Sequence, residues 1–170
     1  PVYSYGHRNP QGIDWHPLSG RLYETEHGPS GEGGRRANDE VNLIEPSKNY
    51  GWPVVVGASD DARFVNPVFY TGDQETWAPS GCSFYKANAF PQWRNSFFVA
   101  TLRGVHLRRL LFDPSTGKIL VNEKLLEGTL GRLRDVVEGP DGLLYILTSN
   151  RDGRGTPTAS DDKIVRLTPA

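Results

Sequence analysis

The segment GHRNPQG, residues 6–12, carries a cation and an amide, Arg8 and Asn9, directly before a proline. The residue before proline is pushed toward extended geometry, Pro10 has a fixed φ, and Gly12 permits a sharp exit. So stiff a turn holds polar side chains in one orientation, which suits an anionic or carbonyl-bearing ligand. Read alone, it is first a solvated turn leading into a strand. The glycine-rich HGPSGEGG (27–34) lacks the Gly-Lys-Ser/Thr ending of a phosphate loop and follows no βα pattern. It is either a flexible connection or a loop whose backbone carbonyls face a hard cation. NDEVNLIEPSKNYGWP (38–53) brings Asp39, Glu40 and Glu45 near a rigid Gly-Trp-Pro turn. One carboxylate plus backbone oxygens would suit calcium, and scattered solvated acids would read the same way. In GRLRD (131–135), Arg132 and Arg134 stand two apart. On a strand that spacing puts both guanidiniums on one face, able to clamp carboxylates or simply exposed beside Asp135.

The four histidines, His7, His16, His27 and His106, lack metal-ligand spacing. His106 is expected on a strand and His16 in a turn. No Ser/His/Asp or Cys/His arrangement is visible. The single cysteine, Cys82 in PSGCSFY, excludes an internal disulfide and a zinc cluster of thiolates, and is expected to be a small buried residue.

These residues need a scaffold, and 170 residues suffice for one domain with a real core. Nineteen basic against 20 acidic residues give a net charge of −1. That removes the electrostatic case for nucleic acid or a membrane surface, and no apolar run is long enough to span a bilayer. Gly 19 and Pro 13 imply many turns, while 4 Trp, 7 Tyr and 7 Phe suit strands. The chain has no methionine and no signal peptide at its start, so it is expected to be processed or part of something longer. Short apolar runs broken by turns, and no convincing amphipathic helix, predict an all-β fold. Leu107, Arg109 and Leu111 alternate with Arg108, Leu110 and Phe112, too apolar on both faces for a surface hairpin, so that strand should be covered on both sides. Pro-Asp-Gly (140–142) and Pro-Ser-Thr-Gly (114–117) should separate neighbouring strands.

A repeat sharpens the organisation. HPLSGRLYETE (16–26) and GPDGLLYILTS (139–149) share a Pro, a Gly and then Leu-Tyr; NDEVNLIEP and DDKIVRLTP share Asp-x-aliphatic-x-x-Leu/Ile-x-Pro at almost the same offset. RNSFFVATLRGVHLRRLLFDP, between them, reads as a third, degenerate copy. Half the offset lies a little above the usual propeller period of roughly 40–50 residues, which predicts three units of about four strands each. Three such blades do not close a ring of the usual four to eight, so the chain reads as half of something.

GHRNPQG, EHGP, DEVNLIEPSKNYGWP, APSG, LRGVHLRRL and GRLRDVVEGPDGLLYILT occur in an order that resembles the soluble pyrroloquinoline-quinone (PQQ)-dependent sugar dehydrogenases. That family comprises soluble glucose dehydrogenase and the aldose sugar dehydrogenases. The resemblance spans nearly all of the chain and implies that residues 1–170 are the C-terminal half of a six-bladed propeller of four-stranded antiparallel blades. It implies oxidation of aldose sugars at C1 to lactones with PQQ and calcium, in a periplasmic or secreted protein. Arg8 and Asn9 match the pair at the reactive quinone edge, and Gly28 and Pro29 match the carbonyls on the catalytic calcium. Arg132 and Arg134 match the arginines that hold cofactor carboxylates. Leu102 and Arg103, in LRG, match a further cofactor contact, with Arg103 where soluble glucose dehydrogenase has a lysine. Thr76 resembles a cofactor-contacting threonine, in a segment shorter than the family's. Glu40 and the Tyr50 carbonyl match a second, structural calcium site.

The family's general-base histidine comes from the N-terminal half, and none of the four histidines here sits in its motif. The resemblance therefore implies that this chain supplies the cofactor and calcium side, with the N-terminal half or another chain as the partner that completes the ring. Two other readings of the scaffold are a binding module without chemistry and a calcium-dependent lactonase. The retained arginines speak against the first, and the second would need side-chain ligands around a central metal.

Overall fold

The computed structural model describes residues 1–169. β1 (Pro10–Trp15), β2 (Leu22–Glu26), β3 (Glu40–Ile44) and β4 (Phe69–Tyr70) form an antiparallel sheet in chain order. β5 (Pro79–Phe84), β6 (Ser96–Thr101), β7 (Leu107–Phe112) and β8 (Ile119–Leu125) form a second. β9 (Leu133–Glu138), β10 (Leu144–Thr148) and β11 (Ile164–Arg166) form a third. Helix among the described residues is confined to single 3₁₀ turns at Glu32–Gly34 and Pro91–Trp93, and no helix is long and apolar enough to cross a membrane. The two predicted turns lie where expected, between β7 and β8 and between β9 and β10.

β1 and β2 pack on β5, and β5 and β6 pack on β9, so the sheets stand face to face as consecutive blades of a β-propeller. The internal repeat is visible in this frame: Leu22-Tyr23 opens β2 and Leu144-Tyr145 opens β10, each the second strand of its blade. Among the described residues the third blade has three strands rather than the expected four. After β10, residues 149–163 run as turns, tied down by Arg151 Nη2 donating to Thr158 O and by the Thr158 N–H donating to Asp161, and β11 alone follows.

The middle blade is covered on both sides, as its apolar alternation requires. Leu110 and Phe112 of β7 join Tyr23, Val41, Phe84, Phe97 and Val99 on one face. Leu107 joins Tyr85, Phe98, Leu133, Val136 and Ile146 on the other. Tyr23 and Phe112 stack with centroids 4.5 Å apart, and each side chain of this size buried completely is worth about 1.5–3 kcal/mol. His106 is not on a strand. It ends the turn before β7, where Thr101 Oγ1 donates to its carbonyl and its Nδ1 lies 2.8 Å from Gly104 O. Cys82 is on β5 and partly buried.

This architecture places the chemistry. The first strands of the blades, β1, β5 and β9, lie side by side, so the segments leading into them share one end of the molecule. Those segments carry Arg8-Asn9, Thr76-Trp77-Ala78 and Gly131-Arg132. Antiparallel pairing returns the β2–β3, β6–β7 and β10–β11 connections to the same end, bringing His27–Asp39, Leu102–Gly104 and Asn150–Arg154.

Candidate active site

At that end lies a cleft of about 930 Å3, walled by Pro29, Thr76, Leu102, Arg103 and Arg132 together with His27, Arg36 and Arg154. This is the size range of small-molecule sites, and four arginines lining it favour an anion with several carboxylates. Arg132 is buried and partly committed: its Nε and Nη2 donate to Asp152 Oδ2 at 3.0 and 2.6 Å, and its Nη1 to Leu102 O at 3.2 Å. That bonding holds the Asp152 carboxyl below the usual range. Arg134 is exposed, with Nη2 4.0 Å from the same Asp152 oxygen, so the pair does converge on a carboxylate, one belonging to the chain. Only Arg134 lies on β9; Arg132 is fixed just before it by its N–H donating to Asn150 Oδ1 at 2.8 Å. Among the described residues, no hydrogen bond or ion pair engages the guanidinium of Arg36, Arg103 or Arg154.

A second, tight cavity of about 10 Å3 adjoins the cleft at Pro29 and is lined by Arg8, Glu26, Gly28, Glu40, Tyr50 and Trp52. It is large enough for one water or one ion. Gly28 is required here: a Cβ would stand 1.8 Å from Ala37 O. Arg8 Nη1 donates to His27 O at 2.8 Å, Nη2 bonds Glu32, and the guanidinium lies 5.6 Å from the Trp52 ring centroid. Asn9 reaches neither wall. Its N–H donates to Glu26 Oε1 at 3.1 Å, and its carbonyl accepts from the His27 N–H. The structure thus brings together Thr76, Leu102, Arg103 and Arg132 in the cleft, and Arg8, Gly28, Glu40 and Tyr50 in the small cavity, with Pro29 common to both. The Tyr50 hydroxyl is turned away, donating to Leu43 O at 2.6 Å. Glu45 is exposed and takes no part.

Asp39 organises the junction. Fully buried, its Oδ1 accepts from the Gly28 N–H at 2.9 Å and lies 2.6 Å from His27 Nδ1. Its Oδ2 accepts from Thr76 Oγ1 at 2.8 Å and from the Trp77 and Ala78 N–H groups at 2.5 and 2.9 Å. Burial alone would raise its pKa; the bonds from His27, Gly28 and Thr76 outweigh it and hold the carboxyl below its ordinary value. His27 Nε2 in turn lies 3.4 Å from Ser30 Oγ, a Ser/His/Asp succession in space that linear spacing hid.

Glu24 and Glu26, missed in the sequence, stand on one face of β2, with Glu40 directly across from Glu26 on β3. The available signal was the alternation in LYETE, which places two acids on one face of a strand whose other face carries the core residue Tyr23. Burial foremost, and neighbouring Glu26, push Glu40 up to about 7 and Glu24 well above its ordinary value, against hydrogen bonds from Asn42. A carboxyl whose folded pKa exceeds its unfolded value stabilises the fold most at low pH and loses that contribution as pH rises through the folded pKa. The chelator-treated chain should therefore melt higher at pH 5 than at pH 8, with Glu40 alone contributing about 2.5 kcal/mol of the difference. Glu40→Gln should flatten the slope. A melting temperature that is level or rising over that window would contradict the assignment.

Residues 1–165 match the family described as Glucose / Sorbosone dehydrogenase. The chain is 34% identical over 165 residues to aldose sugar dehydrogenase YliI of Escherichia coli (strain K12), covering 89% of the chain and 42% of that protein. It superposes on an oxidoreductase (glucose dehydrogenase) of Thermus thermophilus with a TM-score of 0.85 and 46% identity, over 97% of this chain and 46% of the other. The PQQ-bound aldose sugar dehydrogenase of Streptomyces coelicolor gives a TM-score of 0.81 at 36% identity, over 99% and 45%. The chain spans under half the length of these relatives.

Proposed function

The chain belongs to the glucose/sorbosone dehydrogenase family, and on that premise we propose that residues 1–170 are the C-terminal, cofactor-holding half of a PQQ- and calcium-dependent enzyme oxidising aldose sugars at C1 to lactones. The observation that carries this reading is the arginine-walled cleft, whose cations match the carboxylates of the cofactor. When bound, PQQ supplies a hydride acceptor. Thr76, Leu102, Arg103 and Arg132 would hold it, with Arg134 reinforcing Arg132 through Asp152. Arg8, anchored on His27 O, would be a fixed donor able to stabilise negative charge on a bound quinone oxygen. The Gly28 and Pro29 carbonyls would face a calcium ion acting as Lewis acid. The general base would come from the N-terminal half, which would also cover the open blade faces. Periplasmic or secreted placement follows from the family alone.

The donor set at the small cavity fits calcium as well: Glu40 is a partly buried carboxyl beside the Tyr50 backbone, in room for one ion. Calcium should raise the melting temperature, and Glu40→Gln should remove most of that rise. An unchanged response would exclude the site. The function itself is tested on the complete protein, stripped and then reloaded with PQQ and calcium, by dye reduction across a panel of aldoses. Lactone formation requiring both additions is expected. No reduction with any aldose, or lactone hydrolysis without quinone, would overturn the reading.

A further inference from the structure

Under the Arg8 turn, away from the cleft, His7, Glu24 and Glu26 each offer a ligand atom, all within 4.8 Å of one another. Glu24 and Glu26 come from one face of β2, and His7 from the segment laid across it just before β1. Glu24 is 2% and Glu26 4% exposed, and among the described residues no Lys or Arg side chain pairs with either. We propose that these three residues bind a divalent transition-metal ion.

Acids crowded together do not by themselves make a site. What points to a ligand here is a pair of orphaned oxygens. Glu24 Oε1 has no hydrogen-bond partner, and neither has Asn42 Oδ1, although Asn42 is 0% exposed. The Asn42 amide nitrogen is already used, donating to Glu24 Oε2 and Glu40 Oε2 at 3.1 Å each. Buried oxygens are normally satisfied, and a cation between Glu24 and Glu26 would satisfy Glu24 Oε1 while neutralising two adjacent carboxylates.

The nitrogen donor selects the metal. Calcium and magnesium take oxygen ligands, whereas an imidazole beside carboxylates suits zinc and its neighbours in the first transition row. His7 is held as a ligating histidine is held: Ser4 Oγ lies 2.9 Å from Nε2, the Tyr50 ring stacks at 4.6 Å, and Nδ1 faces Glu26 Oε2 at 3.2 Å. An adjoining apolar cleft of about 370 Å3, lined by Ser4, His7 and Glu24 among others, gives a route in. Because Glu26 Oε1 also accepts the backbone N–H groups of Arg8 and Asn9, a metal here would brace the turn that carries both. This site is separate from the all-oxygen one at Glu40 and the Tyr50 carbonyl, and its existence does not depend on the bound quinone.

The test uses the full chain, stripped with chelator, supplied with excess calcium to fill oxygen sites, then titrated with Zn2+ and, in parallel, Co2+. One equivalent of Zn2+ should bind, and Co2+ should produce visible d–d bands of a mixed nitrogen–oxygen site. Glu24→Gln and His7→Ala should each weaken binding at least about tenfold. Glu24→Gln also guards against misfolding as the cause: the amide fills the same space and its oxygen can keep the bond from Asn42 Nδ2, so its melting temperature should match or exceed the parent's. Glu40→Gln should leave Zn2+ binding in place. No saturable binding at sub-millimolar metal, binding that survives Glu24→Gln, or binding lost only in Glu40→Gln would each overturn the proposal.

Discussion

Replacing Asp39 with alanine is expected to lower the stability of the chain by about 4 kcal/mol, because each buried donor left without an acceptor costs about 1–3 kcal/mol. Three backbone N–H groups, those of Gly28, Trp77 and Ala78, would lose their acceptor, and the Thr76 hydroxyl and His27 imidazole would lose their anchor. For a chain of this length that is a fall of about 10 °C in melting temperature. Alanine in place of the exposed Asp60 should stay within about 0.5 kcal/mol of the parent. The acid limb of the stability profile should change too. A depressed carboxyl contributes stability above its unfolded pKa and loses it as pH falls, so the variant should be less sensitive to acid than the parent. Function should suffer at a distance, because Asp39 joins the His27–Pro29 segment of the first blade to the Thr76–Ala78 segment of the second. A melting temperature within about 2 °C of the parent would show that the junction is held by packing instead.

Removing the Arg103 guanidinium should do the opposite: little to the fold and much to ligand binding. Its side chain lines the cleft and, among the described residues, has no intramolecular partner to lose. Charge-assisted hydrogen bonds contribute about 1.5–3 kcal/mol, so Arg103→Ala should weaken PQQ binding by the complete protein about 10- to 100-fold. Lysine at this position should restore part of the affinity as a point charge without the planar fork. Arg132→Ala should weaken binding as much and also lower the melting temperature, since Asp152 and the Leu102 carbonyl lose their donor. Equilibrium titration followed by quinone absorbance, paired with thermal melts, separates the two. Affinity unchanged in Arg103→Ala would move the quinone carboxylates away from this wall.

The two variants differ because the cleft is built from two kinds of residue. Some, like Asp39 and Glu26, spend their polar atoms on the backbone of neighbouring loops. Others, like Arg36, Arg103 and Arg154, have guanidiniums that make no bond among the described residues. A site assembled from six connections on three sheets needs the first kind to give the second kind a fixed position.

By itself, the sequence determined the strands, the turns and the blade repeat, because alternation and turn chemistry act within a few residues. Leu-Tyr in β2 and in β10 fell at matching places for that reason, and Leu107–Phe112 announced a strand covered on both faces. GHRNPQG also marked Arg8, since a stiff turn is a local property, whereas Pro29 was marked only through the resemblance of EHGP to the family's motif. Tertiary structure alone decided which marked residues meet. Thr76 reaches Asp39 across a blade boundary, Arg132 lies just before its strand, and Arg8 faces the small cavity while Arg103 faces the cleft. It also decided the charge state of the acids. Glu24, Glu26 and Asp39 look alike in a list of residues, yet Asp39 is surrounded by donors and stays ionised, while Glu24 is buried with an oxygen unpartnered and holds its proton more tightly. Desolvation and hydrogen bonding depend on what the fold packs around a group, and no window of sequence contains that.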